Sequence, residues 1–257
     1  MHVMSMFDLS GEKALITGGG QGLGREMAIA LAEAGADVAV AQRRVEIAEK
    51  TAEEIRRLGR DSIALPVDVS KPGDVQRMVA AVKEKFGKID ILINNAGIGG
   101  KSPPVLDVSE AEWDRMMNIH LKGTMLCSQT VGREMVKEKK GTIINMSSIS
   151  GFIVNQPQDQ ASYNTAKAAI AHFTKSLAME WVGHNIRVNA IAPGYFKTPM
   201  TAASLASERA QKWLELTPMG RVGEPHEIKG LALFLASNAS SYITGSVILI
   251  DGGYTCW

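Results

Sequence analysis

The sequence predicts an α/β fold in which a parallel sheet of about seven strands carries helices on both faces. Two observations lead to this prediction. Short apolar runs alternate with longer amphipathic segments along the 257 residues, and a glycine cluster follows directly after the first apolar run. Parallel strands need crossover connections, and a helix supplies the crossover while it covers one face of the sheet. Strands that alternate with helices therefore indicate a doubly wound sheet.

The elements follow one another in a regular order. Apolar runs predict strands at residues 13–17, 37–41, 62–66, 89–94, 142–146, 187–191 and 247–250. Apolar residues at helical spacing predict helices at residues 22–34, 46–58, 73–86, 109–136, 162–181 and 224–235. No repeat or low-complexity linker interrupts the sequence pattern. We therefore expect a single domain over residues 1–257, with a substrate lid at about residues 195–217.

Charge and composition favour a small-molecule partner. Lysine plus arginine (28) nearly balance aspartate plus glutamate (27), so no strong field favours nucleic acid or an anionic membrane. The sequence contains no apolar stretch of the roughly 18 residues that a membrane span needs, and residues 1–9 lack the pattern of a signal peptide. Cys127 and Cys256 are far apart and predict free thiols. We expect a cytoplasmic protein without nucleic-acid or membrane partners.

The glycine cluster predicts a dinucleotide site. Residues 17–24 read Thr-Gly-Gly-Gly-Gln-Gly-Leu-Gly, between the first strand and the first helix. Backbone N–H groups at such a helix start bind a pyrophosphate, and glycine lets the phosphates approach closely. A glycine cluster alone is a weak signal, but its position after the first strand makes a Rossmann-type dinucleotide fold the expectation.

Four motifs together resemble one known family. Gly18, Gly22 and Gly24 are spaced more widely than the usual dinucleotide fingerprint, and residues 94–97 (Asn-Asn-Ala-Gly), Tyr163-x-x-x-Lys167 and residues 193–194 (Pro-Gly) follow in order. This set closely resembles the classical short-chain dehydrogenases/reductases over nearly the whole chain. The resemblance implies an NAD(P)-dependent oxidoreductase that interconverts a secondary alcohol and a ketone.

Residues at the end of the second strand indicate which cofactor is used. A carboxylate there binds the ribose 2′-hydroxyl of NAD, whereas arginine accommodates the 2′-phosphate of NADP. The chain has Gln42, Arg43 and Arg44 at this place and no carboxylate, which favours NADP(H), with Arg43 as the first phosphate partner. NAD(H) stays open as the alternative, because the two arginines also suit a solvated helix start.

Tyr163 and Lys167 are four residues apart on a predicted helix, so both side chains project from one face. A nearby ammonium favours the phenolate, and we expect it, assisted by the positive charge of the nicotinamide, to lower the pKa of Tyr163 from about 10 toward neutrality. Ser148 ends the fifth strand at the ligand edge of the sheet, where its hydroxyl can hold the substrate oxygen. Its neighbour Ser147 is the rival for this role.

The resemblance implies the remaining site residues. The catalytic set is Asn118, Ser148, Tyr163 and Lys167, with Asn118 supporting a water-linked proton path to the lysine. The cofactor set is Gly18, Gln21, Gly22, Leu23, Gly24, Gln42, Arg43, Asp68, Val69, Asn95, Gly97, Tyr163, Lys167, Pro193, Gly194, Phe196 and Thr198. Asp68 is equally suited to capping the helix that follows it.

The loop after Ser148 is two residues longer than the commonest family pattern and rich in amides. Such a loop suits a substrate with several hydroxyls, and it resembles members that act on polyols and ketoses, such as sorbose reductases and mannitol dehydrogenases. The candidate substrate residues are Ser150, Asn155, Gln156, Gln160 and Tyr195. The alternative is that these amides satisfy only the backbone of their own loop.

Two other functions remain open. One is reduction of a 3-oxoacyl thioester or another carbonyl by the same catalytic residues, and the other is a non-catalytic NADP-binding regulator. His120 and His172 belong to no ligand cluster, so we expect no metal and ordinary packing for both. The family resemblance also implies a homotetramer.

Overall fold

The computed structural model describes residues 2–99 and 103–257, so residues 1 and 100–102 of the expected domain lie outside the described part. Seven parallel strands form one sheet. They are β1 (Lys13–Thr17), β2 (Asp37–Gln42), β3 (Ser62–Pro66), β4 (Ile91–Asn94), β5 (Gly141–Met146), β6 (Ile186–Pro193) and β7 (Val247–Ile250). Their order across the sheet is β3-β2-β1-β4-β5-β6-β7, which confirms the predicted doubly wound fold.

Helices cover both faces of this sheet. They are α1 (Gly22–Glu33), α2 (Val45–Arg57), α3 (Pro72–Phe86), α4 (Glu110–Met117), α5 (Gly123–Glu138), α6 (Ala161–Trp181), α7 (Ala202–Leu205), α8 (Arg209–Leu216) and α9 (Lys229–Ala236). The buried side chains of α1, α2 and α9 pack on one face, and those of α3, α5 and α6 pack on the other. Successive strand residues divide between the two layers: Ile16 belongs to the first and Leu15 to the second.

The strand order fixes where a ligand binds. β1 lies between β2 and β4, so the chain leaves β1 toward one edge of the sheet and later returns to build the other half from β4. Connections on either side of this point leave in opposite directions, which opens a crevice at the carboxyl ends of β1 and β4. The glycine turn after β1 and the Asn-Asn-Ala-Gly segment after β4 meet there.

Two predicted helices differ in the structure. The segment at 109–136 is α4 and α5 joined by a π-helical stretch, Asn118–Lys122, and the segment at 224–235 begins with a 3₁₀ turn, Pro225–Ile228, before α9. Apolar periodicity does not register one extra residue in a helical turn, so the π-helical stretch could not be predicted from the pattern. In the described part of the chain, no helix has the length and hydropathy to cross a membrane.

Candidate active site

A cavity of about 500 Å³ lies at the carboxyl edge of the sheet. Every residue that the sequence assigned to the cofactor lines it, from Gly18 after β1 to Thr198 after β6. Ser148, Tyr163 and Lys167 line the same cavity. The parallel sheet therefore brings residues from six strand ends, β1 to β6, and from α6 to one crevice.

The turn after β1 is so tight that two of its positions require glycine. A Cβ atom on Gly24 would lie 2.2 Å from the carbonyl oxygen of Gly18, and one on Gly18, where φ is +66°, would lie 2.8 Å from Nδ2 of Asn95. Asn95 closes the turn, because its Nδ2 donates to the carbonyl oxygens of Thr17 at 3.1 Å and Gly18 at 2.9 Å. The start of α1 is thereby held at the cavity, where its free N–H groups suit a pyrophosphate.

The end of β2 places cations at the cavity. Arg43 and Arg44 are exposed and line it, whereas the neighbouring Gln42 turns inward. Gln42 Oε1 accepts a hydrogen bond from the backbone N–H of Gly20 at 2.9 Å and so braces the glycine turn. No carboxylate occupies the position that would bind a ribose 2′-hydroxyl, and the two guanidinium groups suit a 2′-phosphate.

Asp68, after β3, is an ionised group at the adenine end of the cavity. Burial by itself would raise the pKa of its carboxyl, but hydrogen bonds from Ser70 and the charges of Lys71 and Arg43 outweigh that effect and lower the pKa. The hydrogen bonds come from the Ser70 N–H at 3.1 Å and the Ser70 hydroxyl at 2.6 Å. Asp68 therefore caps its local turn as well as lining the cavity.

Ser147 and Ser148 follow β5 and have different partners. The Ser147 hydroxyl donates to the Lys167 carbonyl oxygen at 2.9 Å and is used in packing α6 against β5. The Ser148 hydroxyl accepts from the Ser150 N–H at 3.1 Å, and a hydrogen bond with Tyr163 works to lower the pKa of that phenol. Of the two serines, Ser148 is thus the one beside the phenol.

Burial dominates the pKa values of Tyr163 and Lys167. Burial lowers the pKa of Lys167 to about 7. It also raises the pKa of Tyr163 above its usual value, against the opposing effect of Ser148. We expect the ammonium to lower the tyrosine pKa with the help of the positive charge of the nicotinamide. The Lys167 Nζ lies 5.5 Å from the ring centroid, and a lysine with a pKa near 7 is only partly charged at neutral pH. Lowering of the Tyr163 pKa therefore needs positive charge beyond that of Lys167.

His120, which we assigned to ordinary packing, lines the cavity, whereas Asn118 is not among its lining residues. Both belong to the π-helical stretch. The His120 ring packs edge-on against Tyr163, with centroids 5.4 Å apart and planes at 87°. The second residue of this stretch after Asn118 therefore packs against Tyr163, and no sequence periodicity reports the π-helical turn.

A closed network of amides and hydroxyls forms the cavity wall beyond Ser148. Asn155, which is 3% exposed, accepts at Oδ1 from the Ser150 hydroxyl (2.7 Å) and from Gln160 Nε2 (2.8 Å). Its Nδ2 donates to the Tyr195 hydroxyl at 3.1 Å. Ser150, Asn155, Gln160 and Tyr195 all line the cavity, as predicted, but much of their hydrogen-bonding capacity is used within this network.

Gln156 is exposed and does not line the cavity, whereas Gln158 does. Gln158 Nε2 donates to the Tyr195 hydroxyl at 2.8 Å, and its Oε1 accepts from Trp213 Nε1 at 3.2 Å. Trp213 stacks on Tyr195 with ring centroids 3.8 Å apart. Sequence analysis did not assign Gln158, Trp213 or Arg209 to the site, although all three line the cavity. A tryptophan within the expected lid was the feature that could have indicated a contact with the site.

The residues present fit a nicotinamide dinucleotide. The glycine turn leaves no room for a Cβ atom at Gly18 or Gly24, and cations lie at the β2 end. Lys167 donates one of its N–H groups to the Met146 carbonyl oxygen at 2.7 Å, which leaves two for a ligand hydroxyl or water. The arrangement can bind a diphosphate at one end and exchange a proton at the other.

Comparison with protein families gives a match over residues 18–255 to the family model described as enoyl-(acyl carrier protein) reductase. Among curated relatives, galactitol 2-dehydrogenase of Rhizobium johnstonii is 45% identical, and the match covers 100% of both chains. Sorbose reductase SOU1 of Candida albicans is 43% identical over 99% of this chain and 91% of its own. NADP-dependent mannitol dehydrogenase of Hypocrea jecorina is 42% identical over 99% of this chain and 96% of its own.

Solved structures agree over the whole chain. A short-chain type dehydrogenase/reductase from Mycobacterium marinum superposes with a TM-score of 0.96 at 44% identity, with 100% of both chains covered. A gluconate 5-dehydrogenase from Burkholderia cenocepacia, in complex with NADP and tartrate, gives a TM-score of 0.94 at 34% identity, again over 100% of both chains. The similarity in fold and the similarity in sequence thus both lead to dehydrogenases and reductases.

Proposed function

This chain is a member of the short-chain dehydrogenase/reductase family, and from that membership we propose that it interconverts a polyol and its ketose with NADP(H). As a family member it is an NAD(P)-dependent oxidoreductase acting on the carbon of a secondary alcohol or ketone. The observation that carries the substrate class is the wall of amides and hydroxyls directly beyond Ser148 and Tyr163. A polyhydroxylated substrate suits such a wall better than an acyl chain does.

In the proposed mechanism the protein moves a proton while the bound nicotinamide supplies the hydride acceptor or donor. Ser148 holds the substrate oxygen, and Tyr163 removes the hydroxyl proton during oxidation and returns it during reduction. Lys167 binds the nicotinamide ribose through its remaining N–H groups. Its charge, together with that of the oxidised cofactor, offsets the burial that raises the Tyr163 pKa.

NADP(H) is proposed over NAD(H) because of the charges after β2. Arg43 lines the cavity and lies near enough to Asp68 to contribute to lowering the pKa of that carboxyl. A 2′-phosphate beside Arg43 and Arg44 would receive charge-assisted hydrogen bonds. The relative from Hypocrea jecorina is NADP-dependent, which agrees with this assignment.

Residues 195–217 are proposed as the substrate lid. The segment contains α7 and α8, and Trp213 of α8 joins it to the amide wall through Tyr195 and Gln158. Closure of this segment over the bound substrate would exclude water from the reacting atoms.

We also propose a cytoplasmic homotetramer built from a single-domain subunit. The apolar side chains Trp113 on α4 and Met179 on α6 are 36% and 78% exposed, and pairing of these helices between subunits would cover them. Size-exclusion chromatography with light scattering tests the assembly, and a monomer at micromolar concentration contradicts it.

The proposed function is tested by following NADPH absorbance with galactitol, mannitol, sorbitol, arabinitol, xylitol and the corresponding ketoses, with both cofactors. We expect at least one polyol and ketose pair to be turned over, and Tyr163→Phe to lose about 1,000-fold in kcat while it still binds NADPH. Rapid reduction of a 3-oxoacyl thioester without any polyol activity contradicts the substrate assignment. NADPH binding without any turnover would support the non-catalytic alternative.

A second substrate class is favoured by Arg209. Arg209 lines the cavity from the first turn of α8, one helical turn before Trp213, and a cationic residue there suits the carboxylate of a sugar acid. The gluconate 5-dehydrogenase structure with NADP and tartrate is in line with this possibility. Gluconate belongs in the same assay, with Arg209→Gln as the variant. If a sugar acid is the substrate, the variant loses activity on gluconate but keeps its activity on neutral polyols.

A further inference from the structure

The end of the chain forms a turn with a fixed shape. In this C-terminal turn, residues 251–255, the Asp251 carboxylate accepts hydrogen bonds from the Gly253 N–H at 3.0 Å, the Thr255 N–H at 2.9 Å and the Thr255 hydroxyl at 2.7 Å. The Tyr254 side chain within the turn is buried, with 4% of its surface exposed. The turn therefore presents a buried phenol in a defined position.

The C-terminal turn is in contact with both ends of the proposed lid, residues 195–217. Just before the lid, a Cβ atom on Gly194 would lie 2.8 Å from the Asp251 Cα atom, so the two backbones are closely packed. Just after the lid, the Met219 N–H donates to the Gly252 carbonyl oxygen at 3.2 Å. The turn thus fixes the points at which the lid begins and ends.

The hydrogen bonds around Tyr195, the first residue of the lid, have a fixed direction. The indole N–H of Trp213 can only donate, so it contacts the carbonyl oxygen of Gln158 at 3.2 Å and leaves the Gln158 amide nitrogen to face the Tyr195 hydroxyl at 2.8 Å. Asn155 Nδ2 donates to the same hydroxyl oxygen at 3.1 Å. Two donors thus occupy the lone pairs of the Tyr195 oxygen, and the hydroxyl proton of Tyr195 needs an acceptor elsewhere.

Tyr254 lies beside Tyr195 and offers such an acceptor. The two rings pack edge-on, with centroids 5.3 Å apart and planes at 75°. Burial raises the pKa of Tyr254, and the Tyr195 hydroxyl and the backbone N–H of Gln156 oppose this effect, so both of these donors approach the Tyr254 oxygen. Tyr254 Oη is buried and makes no hydrogen bond to protein atoms of residues 2–99 and 103–257. Buried polar groups are almost always hydrogen-bonded, so a slight approach of the two rings would satisfy both phenols.

We propose that Tyr254 is a positioning residue for substrate binding: it accepts a hydrogen bond from the Tyr195 hydroxyl and so holds Tyr195 in the arrangement that receives the substrate. Tyr195 and Trp213 line the cavity and Tyr254 does not, so Tyr254 acts through the Tyr195 ring. Trp213 stacks on that ring with centroids 3.8 Å apart, which extends the effect to α8. The C-terminal turn is thus part of the substrate site although it lies outside the cavity. The inference rests on the proposed role of the lid and of the amide wall.

Removal of one oxygen atom tests the hydrogen bond. Tyr254→Phe keeps the ring that packs against Tyr195 and removes the acceptor. We expect the substrate KM to rise about 3- to 10-fold, with kcat and the cofactor KM within about twofold of wild type, because the loss of one hydrogen bond loosens only the substrate wall. Tyr242→Phe is the matched control: its side chain is fully exposed, so loss of the same hydroxyl should change neither KM.

A double-variant cycle separates this hydrogen bond from general packing. Tyr195→Phe removes the donor, so the addition of Tyr254→Phe to that variant should change the substrate KM by less than about twofold. A wild-type substrate KM in Tyr254→Phe overturns the proposal. An increase in KM that is equally large with and without the Tyr195 hydroxyl also overturns it, because the two phenols would then act independently.

Hydrogen exchange in the protein without substrate gives a readout that needs no turnover. We expect the backbone amides of residues 195–217 to exchange faster in Tyr254→Phe than in wild type or Tyr242→Phe, whereas amides in β1 and β4 keep their wild-type rates. Unchanged exchange in the lid contradicts the proposal. The kinetic assays use whichever secondary alcohol the wild type oxidises, and the exchange experiment uses none, so a failure of the polyol assignment is distinguishable from a failure here.

Discussion

The Lys167 ammonium lies 5.5 Å from the centroid of the Tyr163 ring and donates a hydrogen bond to the Met146 carbonyl oxygen at 2.7 Å. Lys167, which we propose as a catalytic residue, is buried, and burial lowers its pKa to about 7. In the unfolded chain the Lys167 amine keeps its proton up to a pH of about 10.5. Above pH 7 the folded protein therefore binds fewer protons than the unfolded chain does.

This difference predicts how the stability of the cofactor-free protein depends on pH. Because the unfolded state binds more protons between pH 7 and 10, the contribution of Lys167 to stability rises with pH in that range. Between pH 7 and pH 9 we expect wild type to gain about 2 kcal/mol relative to Lys167→Met. Urea unfolding of both proteins at the two pH values measures this difference. Parallel changes in the two proteins would show that Lys167 keeps an ordinary pKa in the fold.

The two serines after β5 provide a matched pair. Ser148→Ala should lower kcat about 100-fold, because the substrate oxygen loses a positioned hydrogen bond. Ser147→Ala should instead cost about 1 kcal/mol of stability with little change in kcat, because its hydroxyl donates to the Lys167 carbonyl oxygen. Steady-state kinetics and thermal unfolding of both variants test the assignment. A larger kinetic loss in the Ser147 variant would reverse the two roles.

Cofactor choice should depend on Arg43. Replacement by alanine removes a charge-assisted contact with the 2′-phosphate, so kcat/KM for NADPH should fall roughly 10- to 100-fold, whereas that for NADH should hardly change. The loss in kcat/KM for NADPH should be smaller at high salt, because Arg43 is exposed and dissolved ions screen its charge. Arg44→Ala is the comparison and should show a smaller effect. A wild-type preference for NADH that survives Arg43→Ala contradicts the assignment.

The lid should depend on the hydrogen bond between Trp213 and Gln158. Trp213→Phe keeps a ring stacked on Tyr195 but removes the donor to Gln158 Oε1 at 3.2 Å. We expect the substrate KM to rise about fivefold with the cofactor KM unchanged, in line with the loss of one hydrogen bond. Gln158→Ala should have a similar effect, and the double variant should add little to either one. Additive effects would show that the two side chains act independently.

Alanine substitutions at Gly24 and Gly73 should have opposite effects on the stability of the protein. Gly24→Ala would place a Cβ atom 2.2 Å from the Gly18 carbonyl oxygen, so we expect loss of NADPH binding and of soluble protein. Gly73→Ala in α3 meets nothing nearer than the Arg77 side chain at 3.5 Å and should stabilise the protein by about 0.5 kcal/mol. Thermal unfolding and NADPH fluorescence compare the two. Normal cofactor binding by Gly24→Ala would contradict the tight turn.

The strands, most helices and many of the residues that line the crevice could be predicted from the sequence. These features depend on local signals: apolar runs, glycine at positions where the backbone approaches closely, and polar residues at strand ends. A parallel sheet then brings the strand ends to one edge whatever the details of packing. For this reason Gly18, Arg43, Asn95 and Thr198 could all be assigned to one crevice without coordinates.

Tertiary structure decided which side chains face one another at the reacting end. His120 of the π-helical stretch lines the cavity whereas Asn118 is not among the lining residues, and a hydrogen-bonded network places Gln158 rather than Gln156 at the cavity. Burial decided the direction in which the protein's own groups shift the pKa values of Tyr163 and Lys167, and the four-residue spacing does not report burial. The physical reason is that spacing along the chain fixes the face of a helix, whereas desolvation and hydrogen bonding depend on every neighbour that the fold packs around a group.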